Sequence, residues 1–537
     1  MSNLPLITKC NSLKNKRSFL LSGLSGILLL LSWPDFLFAG LIFIAWVPLL
    51  LVAKEVTNKR DFFQCCLLTM LIWNTGTTWW IWNSTAAGAI GAIVANSFLM
   101  CIPLWGFITF YKKFGAIKGY VSLIVFWLCF EYIHLNWQLS WPWLTLGNVF
   151  AEHPDWIQWY EFTGVGGGSL WVLLTNVMLF HVVQLENNKK IIKGMVVSIS
   201  IFSIPLFLSF GILSVDSKTK TWQNNNVVIV QPNIDPYTEK FDIGSADRQL
   251  QKLVQLSEKY IDTNTRLVLW PETAMPVGEW QDKVKESLIY KPVFDFASRH
   301  PNATIQSGIE TYKNYGPKKA TSTARRVEGG ANYYDAFNAS ITIKENEPLQ
   351  FYDKSKLVPG VETLPDFLLW MGDIFEKFGG TTGGYGHDKE ATAFRVRGTP
   401  YVTAPIICYE SIYGEYITTY VTKGANLLTI MTNDGWWANT AGHRQHLQYA
   451  RIRAIETRKW VARSANTGIS AVIDDYGSIK ESLPWNTTGA IKFAIPFIQG
   501  ETFYVLHGDS IFRLAFWLTI SFLIFYVYCL INSRIKK

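Results

Sequence analysis

The chain has 537 residues, of which 15% are aromatic, 23 of them Trp, and only 17% are charged. Such a balance excludes a single small soluble domain, and the length leaves room for two or more domains. A net charge of +8 would suit a nucleic-acid binder, but many of the basic residues lie in short loops between apolar runs, which argues for membrane topology instead.

Apolar runs of roughly the 20 residues that a bilayer core requires occur near 18–33, 36–53, 62–82, 86–110, 119–136, 167–185, 194–214 and 511–532. Trp33, Trp79, Trp80, Trp82, Trp137, Trp141 and Trp143 lie in and beside them, as in an interfacial belt. The first run follows Lys14, Lys16 and Arg17, but no small-residue cleavage site follows it and a second run comes at once, so it is read as a helix rather than a signal peptide.

The connecting loops divide by charge. One set carries Lys9, Lys14, Lys16 and Arg17; Lys54, Lys59 and Arg60; Lys112, Lys113 and Lys118; Lys189, Lys190 and Lys193; and Arg534, Lys536 and Lys537. The opposite short loops, at Pro34-Asp35, Asn83-Ser84 and across 137–166, carry no Lys or Arg. This asymmetry predicts eight spans, both termini cytoplasmic, and segment 215–510 on the outer face. The expected domains are a membrane domain of about seven helices over 1–214, an outer domain over 215–505, and a last span with its tail over 506–537. Glu131 falls within the fifth span; a helix–helix contact or a place near the interface outweighs a functional role there, since no partner can be named.

From Asn226 the pattern changes to short apolar runs separated by polar, helix-like stretches. Strands are predicted at 226–231, 266–270, 303–307, 339–343, 401–407, 426–431, 469–473 and 490–493, with a helix over 246–261. Alternating strand and helix predict an α/β layered fold. The basic, Gly-rich stretch 312–330 and the glycines of 379–386 read as mobile loops.

Cys408 is the only cysteine between Cys129 and Cys529. With no partner in its domain it is either a buried small hydrophobe or a nucleophile. Two further ionisable residues share its setting at the end of an apolar strand: Glu272 after Leu267-Val-Leu-Trp-Pro, and Lys354 in Phe351-Tyr-Asp-Lys. Strand ends on one edge of an α/β sheet are where sites are usually assembled. Taken singly, Glu272 could cap a helix and Lys354 could be an ordinary surface lysine.

In order, Trp270-Pro271-Glu272, Tyr352-Asp-Lys354-Ser-Lys-Leu357-Val358-Pro359 and Ile407-Cys408-Tyr409-Glu410 resemble the Glu-Lys-Cys triad of the nitrilase superfamily. With the membrane spans, the chain resembles the apolipoprotein N-acyltransferase family, the membrane-integrated branch of that superfamily. Thr432-Asn433-Asp434, Arg453-Ala454-Ile455-Glu456 and Asn466-Thr467-Gly468 match the family pattern too, and Trp436-Trp437 stands where the family often has an aromatic pair. Gly360-Val361 before Glu362 replaces the family's usual aromatic-glycine pair, and the family's Trp near the first strand is replaced by Phe241, to which no role is assigned.

The resemblance implies an αββα nitrilase-like sandwich on the outer, periplasmic side of a bacterial inner membrane. It implies Cys408 as nucleophile, Glu272 as general base and Lys354 as the electrostatic element. Glu362 and Glu410 would orient Lys354 and the substrate amine, with Asn338 fixing Lys354 and Tyr409 in support. The implied reaction is ping-pong: a membrane phospholipid acylates Cys408, and the α-amine of a diacylglyceryl-cysteine apolipoprotein takes the chain. No cofactor, metal or nucleic acid is expected, and the expected state is a monomer. The apolar stretch 364–371, with Ile374 and Phe375, is expected either to dip into the interface and guide acyl chains or to pack on the core. Two other readings stand beside this: a membrane-tethered amidase acting on a small amide, and a transporter or receptor whose outer domain only binds ligand.

Overall fold

The computed structural model describes residues 4–215, 220–221, 225–240, 242–371 and 384–535. Phe241, Ile374, Phe375 and the glycines before Gly384 lie outside the described residues. The chain divides into two compact units. One holds the helices before Trp82, the segment Ala86–Ser214 and the chain from Asp509 onward; the other holds Asn83–Thr85 and Val215–Gly508.

Five helices among the described residues are long and apolar enough to cross a membrane: Ala86–Phe114, Ala116–Leu135, Tyr160–Val183, Asn188–Ser214 and Phe503–Ile535. Helices Leu4–Leu31 and Lys59–Thr78 cover the first and third expected runs. The second expected run, 36–53, is not one helix but three pieces, Ala39–Leu41, Ile42–Ala45 and Val47–Glu55. Asn176 repairs the break: its Oδ1 accepts from Trp46 N at 2.9 Å and its Nδ2 donates to Ile42 O at 2.8 Å, replacing helix bonds that hydrocarbon could not satisfy. Stretch 137–166, expected as a loop, winds through three short 3-10 turns, of which Pro142–Leu144 and Leu146–Phe150 are wholly buried. Glu131 has partners that the sequence could not name: its Oε1 accepts from Trp127 Nε1 at 3.0 Å and Leu146 N at 2.8 Å.

The α/β unit holds β1 (Lys220–Thr221), β2 (Asn226–Gln231), β3 (Thr265–Leu269), β4 (Met275–Trp280), β5 (Thr304–Gly316), β6 (Arg325–Arg326), β7 (Tyr333–Ile343) and β8 (Gln350–Asp353). It continues with β9 (Phe394–Arg395), β10 (Val402–Ile407), β11 (Leu427–Thr432), β12 (Trp460–Ala465), β13 (Ser470–Ile473), β14 (Ile479–Leu483), β15 (Gly489–Ala494) and β16 (Phe497–Ile498). One sheet has the order β15-β2-β3-β5-β7-β6, with β4 on β5 and β8 on β7; the other has β14-β13-β12-β11-β10-β9. Strands β2, β3 and β5 run parallel, as do β10, β11 and β12.

Side chains of a strand alternate between faces, and both faces are apolar here. Val227, Ile229, Leu267 and Leu269 join Ala404, Ile406, Leu428 and Ile430 in a core between the sheets. Val228, Val230, Val268 and Trp270 face the other way, into a core with Leu250, Leu253, Val293 and Phe296 of the helices Ala246–Tyr260 and Lys291–Arg299. Helices Gly414–Thr422 and Ala441–Thr457 contribute Ile417, Tyr420, Leu447 and Ala450 on the second sheet. The result is an αββα sandwich. Gln306 links the sheets, bonding Thr429 Oγ1 at 2.7 Å and Thr403 Oγ1 at 2.8 Å.

The stretch 312–330, expected as a loop, is loop over 317–324 and 327–330 and strand in the rest. β5 extends to Gly316 and pairs antiparallel with β7, while Arg325 and Arg326 form β6 on the far edge. Strand β12 carries Arg463 and Ser464, whose polarity hides it from an apolar-run criterion, yet all six of its residues are buried.

Candidate active site

Glu272 lies three residues beyond the end of β3, Lys354 directly follows β8, and Cys408 directly follows β10. Sheet pairing brings these three turns to one end of the sandwich, beyond the carboxyl ends of parallel strands. Cys408 opens a short 3-10 turn with φ of +49°, and Thr273, next to Glu272, has φ of +45°. Non-glycine residues rarely adopt this region, and each costs about 1–3 kcal/mol, so the surrounding hydrogen bonds must hold both turns in place.

Lys354 is 1% exposed, and its Nζ lies 2.9 Å from Glu362 Oε1 and 3.3 Å from Glu272 Oε1. Asn338, in the middle of β7, donates through Nδ2 to the same two oxygens, at 2.8 Å to Glu272 and 3.0 Å to Glu362. The second oxygen of Glu272 accepts from Asn433 N at 3.2 Å, and that of Glu362 from Val358 N at 2.8 Å. Burial by itself pushes the Lys354 ammonium down, but the Glu362 and Glu272 carboxylates, with Cys408, outweigh it and hold the group well above its ordinary value. The amine is therefore a fixed cation between two anions.

The Cys408 thiol is pushed up, first by desolvation and then by the Glu272 carboxylate; Asp434 acts the same way, while Lys354 and the Thr432 hydroxyl favour the thiolate. The pull of Lys354 towards the thiolate is outweighed by burial and the neighbouring carboxylates. At rest the sulfur carries its proton, and a neighbouring base has to remove it.

Glu410 has no exposed surface. Its oxygens accept from Ile407 N and Ser355 N, both at 2.8 Å, from Lys356 N at 3.2 Å, and from the Tyr352 hydroxyl. It thus ties the Cys408 turn to the Lys354 turn. Burial pushes its carboxyl up to about 7 against the pull of those donors. Tyr409 is buried with its ring edge-on to Tyr413 at 5.3 Å, and the Glu362 charge adds to the burial that raises its hydroxyl.

Three features escaped the sequence reading. Lys240 is buried and its Nζ donates to the Glu272 main-chain oxygen at 2.9 Å. Desolvation brings that amine down to about 8, against the opposing charges of Glu272 and Cys408. Nothing in its polar neighbourhood, Thr238-Glu239-Lys240, marks it. Beneath Cys408, Ser411 Oγ donates to Cys408 O at 2.8 Å and meets His446 Nε2 at 2.8 Å, while His446 Nδ1 lies 2.9 Å from Asp434 Oδ1. Arg463 Nη2 donates to the other Asp434 oxygen at 2.7 Å, and the Arg463 and His446 charges hold Asp434 well below the usual carboxylate range despite burial. Asp434 stands in a family-matching segment, which is the available signal; no motif marks His446. Third, Gly308 of β5 lies against the Glu272 turn, with room for no side chain.

Of the apolar arm after Glu362, the described part includes the turn Asp366–Met371, where Phe367 is 57% and Trp370 77% exposed. No group of three or more His, Cys, Asp or Glu among the described residues is arranged to hold a metal ion.

An αββα sandwich with a thiol, a buried ammonium and carboxylates at one strand edge defines a nitrilase-type unit. The family model described as Carbon-nitrogen hydrolase matches residues 227–500. The yeast Saccharomyces cerevisiae Nit3 structure, from the nitrilase superfamily, aligns with 54% of this chain and 96% of its own at 16% identity and a TM-score of 0.37. The model described as Apolipoprotein N-acyltransferase N-terminal domain matches residues 25–178. An apolipoprotein N-acyltransferase of Chlorobaculum tepidum is 31% identical over 508 residues, covering 92% of this chain and 94% of its own. Another, of Geobacter metallireducens, is 26% identical over 92% of both chains. The chain belongs to the apolipoprotein N-acyltransferase family and is a membrane-protein acyltransferase with a nitrilase-like unit.

Proposed function

We propose that the α/β unit moves a fatty acyl chain from a membrane phospholipid to the N-terminal amine of a diacylglyceryl-cysteine lipoprotein, with Cys408 carrying it between them. Glu272 takes the thiol proton as Sγ bonds to the ester carbonyl carbon. The resulting oxyanion is stabilised by Lys354 Nζ and the main-chain N–H of Tyr409. When the carbon–oxygen bond breaks, the leaving lysophospholipid oxygen takes the proton from Glu272, and a thioester remains. In the second half the lipoprotein amine attacks that carbonyl and gives its proton to Glu272. The carbon–sulfur bond breaks, and the leaving sulfur takes that proton from Glu272, which restores the thiol. Asn338 and Glu362 keep Lys354 and Glu272 in register, and Glu410 holds the two reacting turns together.

The observation that carries this reading is the buried Lys354 ammonium shared between Glu272 and Glu362 at 3.3 and 2.9 Å, with Asn338 bonded to the same two oxygens. An ammonium locked this way cannot serve as a base, but it offers a fixed charge to an oxyanion formed beside Cys408. Purified enzyme mixed with phospholipid should yield an acyl adduct on Cys408 by mass spectrometry, accumulating in Glu362→Ala. An absence of adduct in both would discard the mechanism.

The same reading places the protein in a bacterial inner membrane as a monomer, with both termini in the cytoplasm and the α/β unit in the periplasm. The charge asymmetry of the loops supports that orientation. A cysteine placed at exposed Ser322 should react with a membrane-impermeant maleimide in intact spheroplasts. Labelling only after lysis would reverse the topology.

A further inference from the structure

Beneath the Cys408 turn, Ser411, His446 and Asp434 form a hydrogen-bonded series to which the proposed reaction gives no part. Ser411 Oγ lies 2.8 Å from His446 Nε2, and His446 Nδ1 lies 2.9 Å from Asp434 Oδ1. Order and spacing are those of a nucleophile, its base and the group that orients the base. Position rules out a second nucleophile. Ser411 is 1% exposed, and His446 and Asp434 have no exposed surface. The Ser411 hydroxyl also donates to the Cys408 oxygen at 2.8 Å. The series ends on that oxygen, so its effect falls on the Cys408–Tyr409 peptide.

His446 Nε2 lies 3.2 Å from the same oxygen, and the rest of the series is braced in turn. Asp434 Oδ1 accepts from Thr432 Oγ1 at 2.9 Å, its Oδ2 accepts from Arg463 Nη2 at 2.7 Å, and Arg463 Nη1 donates to Ile469 O at 2.6 Å. Asp434, held ionised beside Arg463, can only accept, so His446 Nδ1 carries a proton and the ring cannot turn over without breaking that contact. Buried polar contacts of this kind hold one geometry, because a broken one leaves an unpaired group out of reach of water.

The described residues contain no cis peptide bond. In a planar trans peptide the carbonyl oxygen and the following N–H lie on opposite sides. Fixing the Cys408 oxygen therefore fixes the Tyr409 N–H on the side away from Ser411 and His446. The constraint is needed, since Cys408 holds a φ of +49°, which persists only where the surroundings impose it.

We propose that Ser411 and His446 are positioning residues that aim the Tyr409 N–H at the oxyanion formed on the acyl carbonyl, by holding the oxygen on the other edge of the same peptide. The inference rests on the acyl-transfer reading above, in which that N–H and Lys354 Nζ stabilise the oxyanion. Neither residue touches substrate. Without the Ser411 hydroxyl the peptide tilts and the N–H leaves its line, while Sγ, carried on the Cα next to β10, keeps its place.

The test compares two reactions of the same sulfur in the full-length enzyme in detergent, each followed by mass spectrometry at Cys408. Iodomethane alkylates Sγ: a carbon–sulfur bond forms, iodide leaves and Glu272 takes the thiol proton, with no charge built on oxygen. Acylation by phospholipid needs the same sulfur and an oxyanion as well. Removing an oxyanion donor outright costs about 100-fold or more, so Ser411→Ala, which only misaims one, should acylate about tenfold more slowly. Its alkylation rate should be unaltered. Tetradecanal, which adds the thiol to its carbonyl as a hemithioacetal and sets its oxygen in the same place, should bind about tenfold more weakly to Ser411→Ala. Equal losses in acylation and alkylation would show that the contact places Sγ, and unaltered acylation would show that it aims nothing; either overturns the proposal. Should Ser411→Ala fail to fold, His446→Gln goes through the same assays and has to show the same split, and its absence overturns the proposal too. A wild-type enzyme that binds tetradecanal, more tightly than Ser411→Ala does, yet takes no acyl chain from phospholipid would sink the donor reading and leave the aimed N–H standing.

Discussion

Gly308→Ala tests whether the position of Glu272 matters for turnover. A Cβ at Gly308 would lie 2.3 Å from Thr273 N, 2.7 Å from Glu272 Cα and 2.8 Å from Glu272 C. Non-bonded carbon contacts settle at about 3.5–4.0 Å, so the Glu272 turn has to retreat by about 1 Å. All three obstructing atoms are main chain, and no side-chain rotation can absorb the clash. Glu272 would then lose alignment with Lys354, Asn338 and Asn433 N at once. A displacement of about 1 Å at a reacting group costs about 100-fold in rate, or about 2.7 kcal/mol. Overpacking adds about 1–3 kcal/mol of lost stability. Acyl transfer to a synthetic diacylated lipopeptide, followed by chromatography of the product, gives the rate, and thermal unfolding gives the stability. Gly489→Ala is the control, because its Cβ would meet only Leu483 at an ordinary 3.5 Å. A Gly308→Ala enzyme within about threefold of wild type, where the displacement calls for about 100-fold, would refute the placement of Glu272 at the reacting centre.

Lys354→Met leaves two buried carboxylates without their cation and should destabilise the unit by about 3–5 kcal/mol; adding Glu362→Gln should return part of that stability by thermal unfolding without returning activity, and no recovery would show that the pair is not coupled. Glu410 has a folded value of about 7 against an ordinary 4.5, so the folded protein holds the extra proton. Its stabilising effect relative to Glu410→Gln is complete below about pH 4.5 and is lost as the pH rises through about 7. Paired melting curves from pH 4 to pH 9 check this, and a difference that is flat or grows with pH contradicts it. Phe367→Ser with Trp370→Ser should raise the apparent Michaelis constant for phospholipid several-fold at unaltered melting temperature if these exposed rings meet acyl chains; unaltered kinetics would discard the arm.

Local pattern carried a large part of the architecture. The apolar runs fall on helices because a helix in hydrocarbon must be apolar along its whole length. The strands 226–231 and 401–407 were legible because both faces of a strand in a two-layer sandwich are buried, which leaves a short continuous apolar run. Strand β12 was not, because Arg463 is balanced by Asp434 from the turn after the neighbouring strand β11 rather than by anything near it in the chain. The break of the 36–53 segment into three helical pieces was hidden for a similar reason: its broken backbone is satisfied by Asn176, 130 residues further on.

By itself the sequence determined which residues end strands, and so where Glu272, Lys354 and Cys408 stand along the chain. Tertiary structure alone decided what surrounds them. Asn338 reaches Glu272 across 66 positions, Lys354 reaches it across 82, and Asn433 N across 161. Such contacts depend on strand order and on which sheet lies over which, and periodicity encodes neither. For the same reason Glu410 became a tie between two turns, and Lys240 and Gly308 joined the site unannounced. A hydrogen bond senses distance in space, while a sequence pattern records only the side from which each segment hides from water.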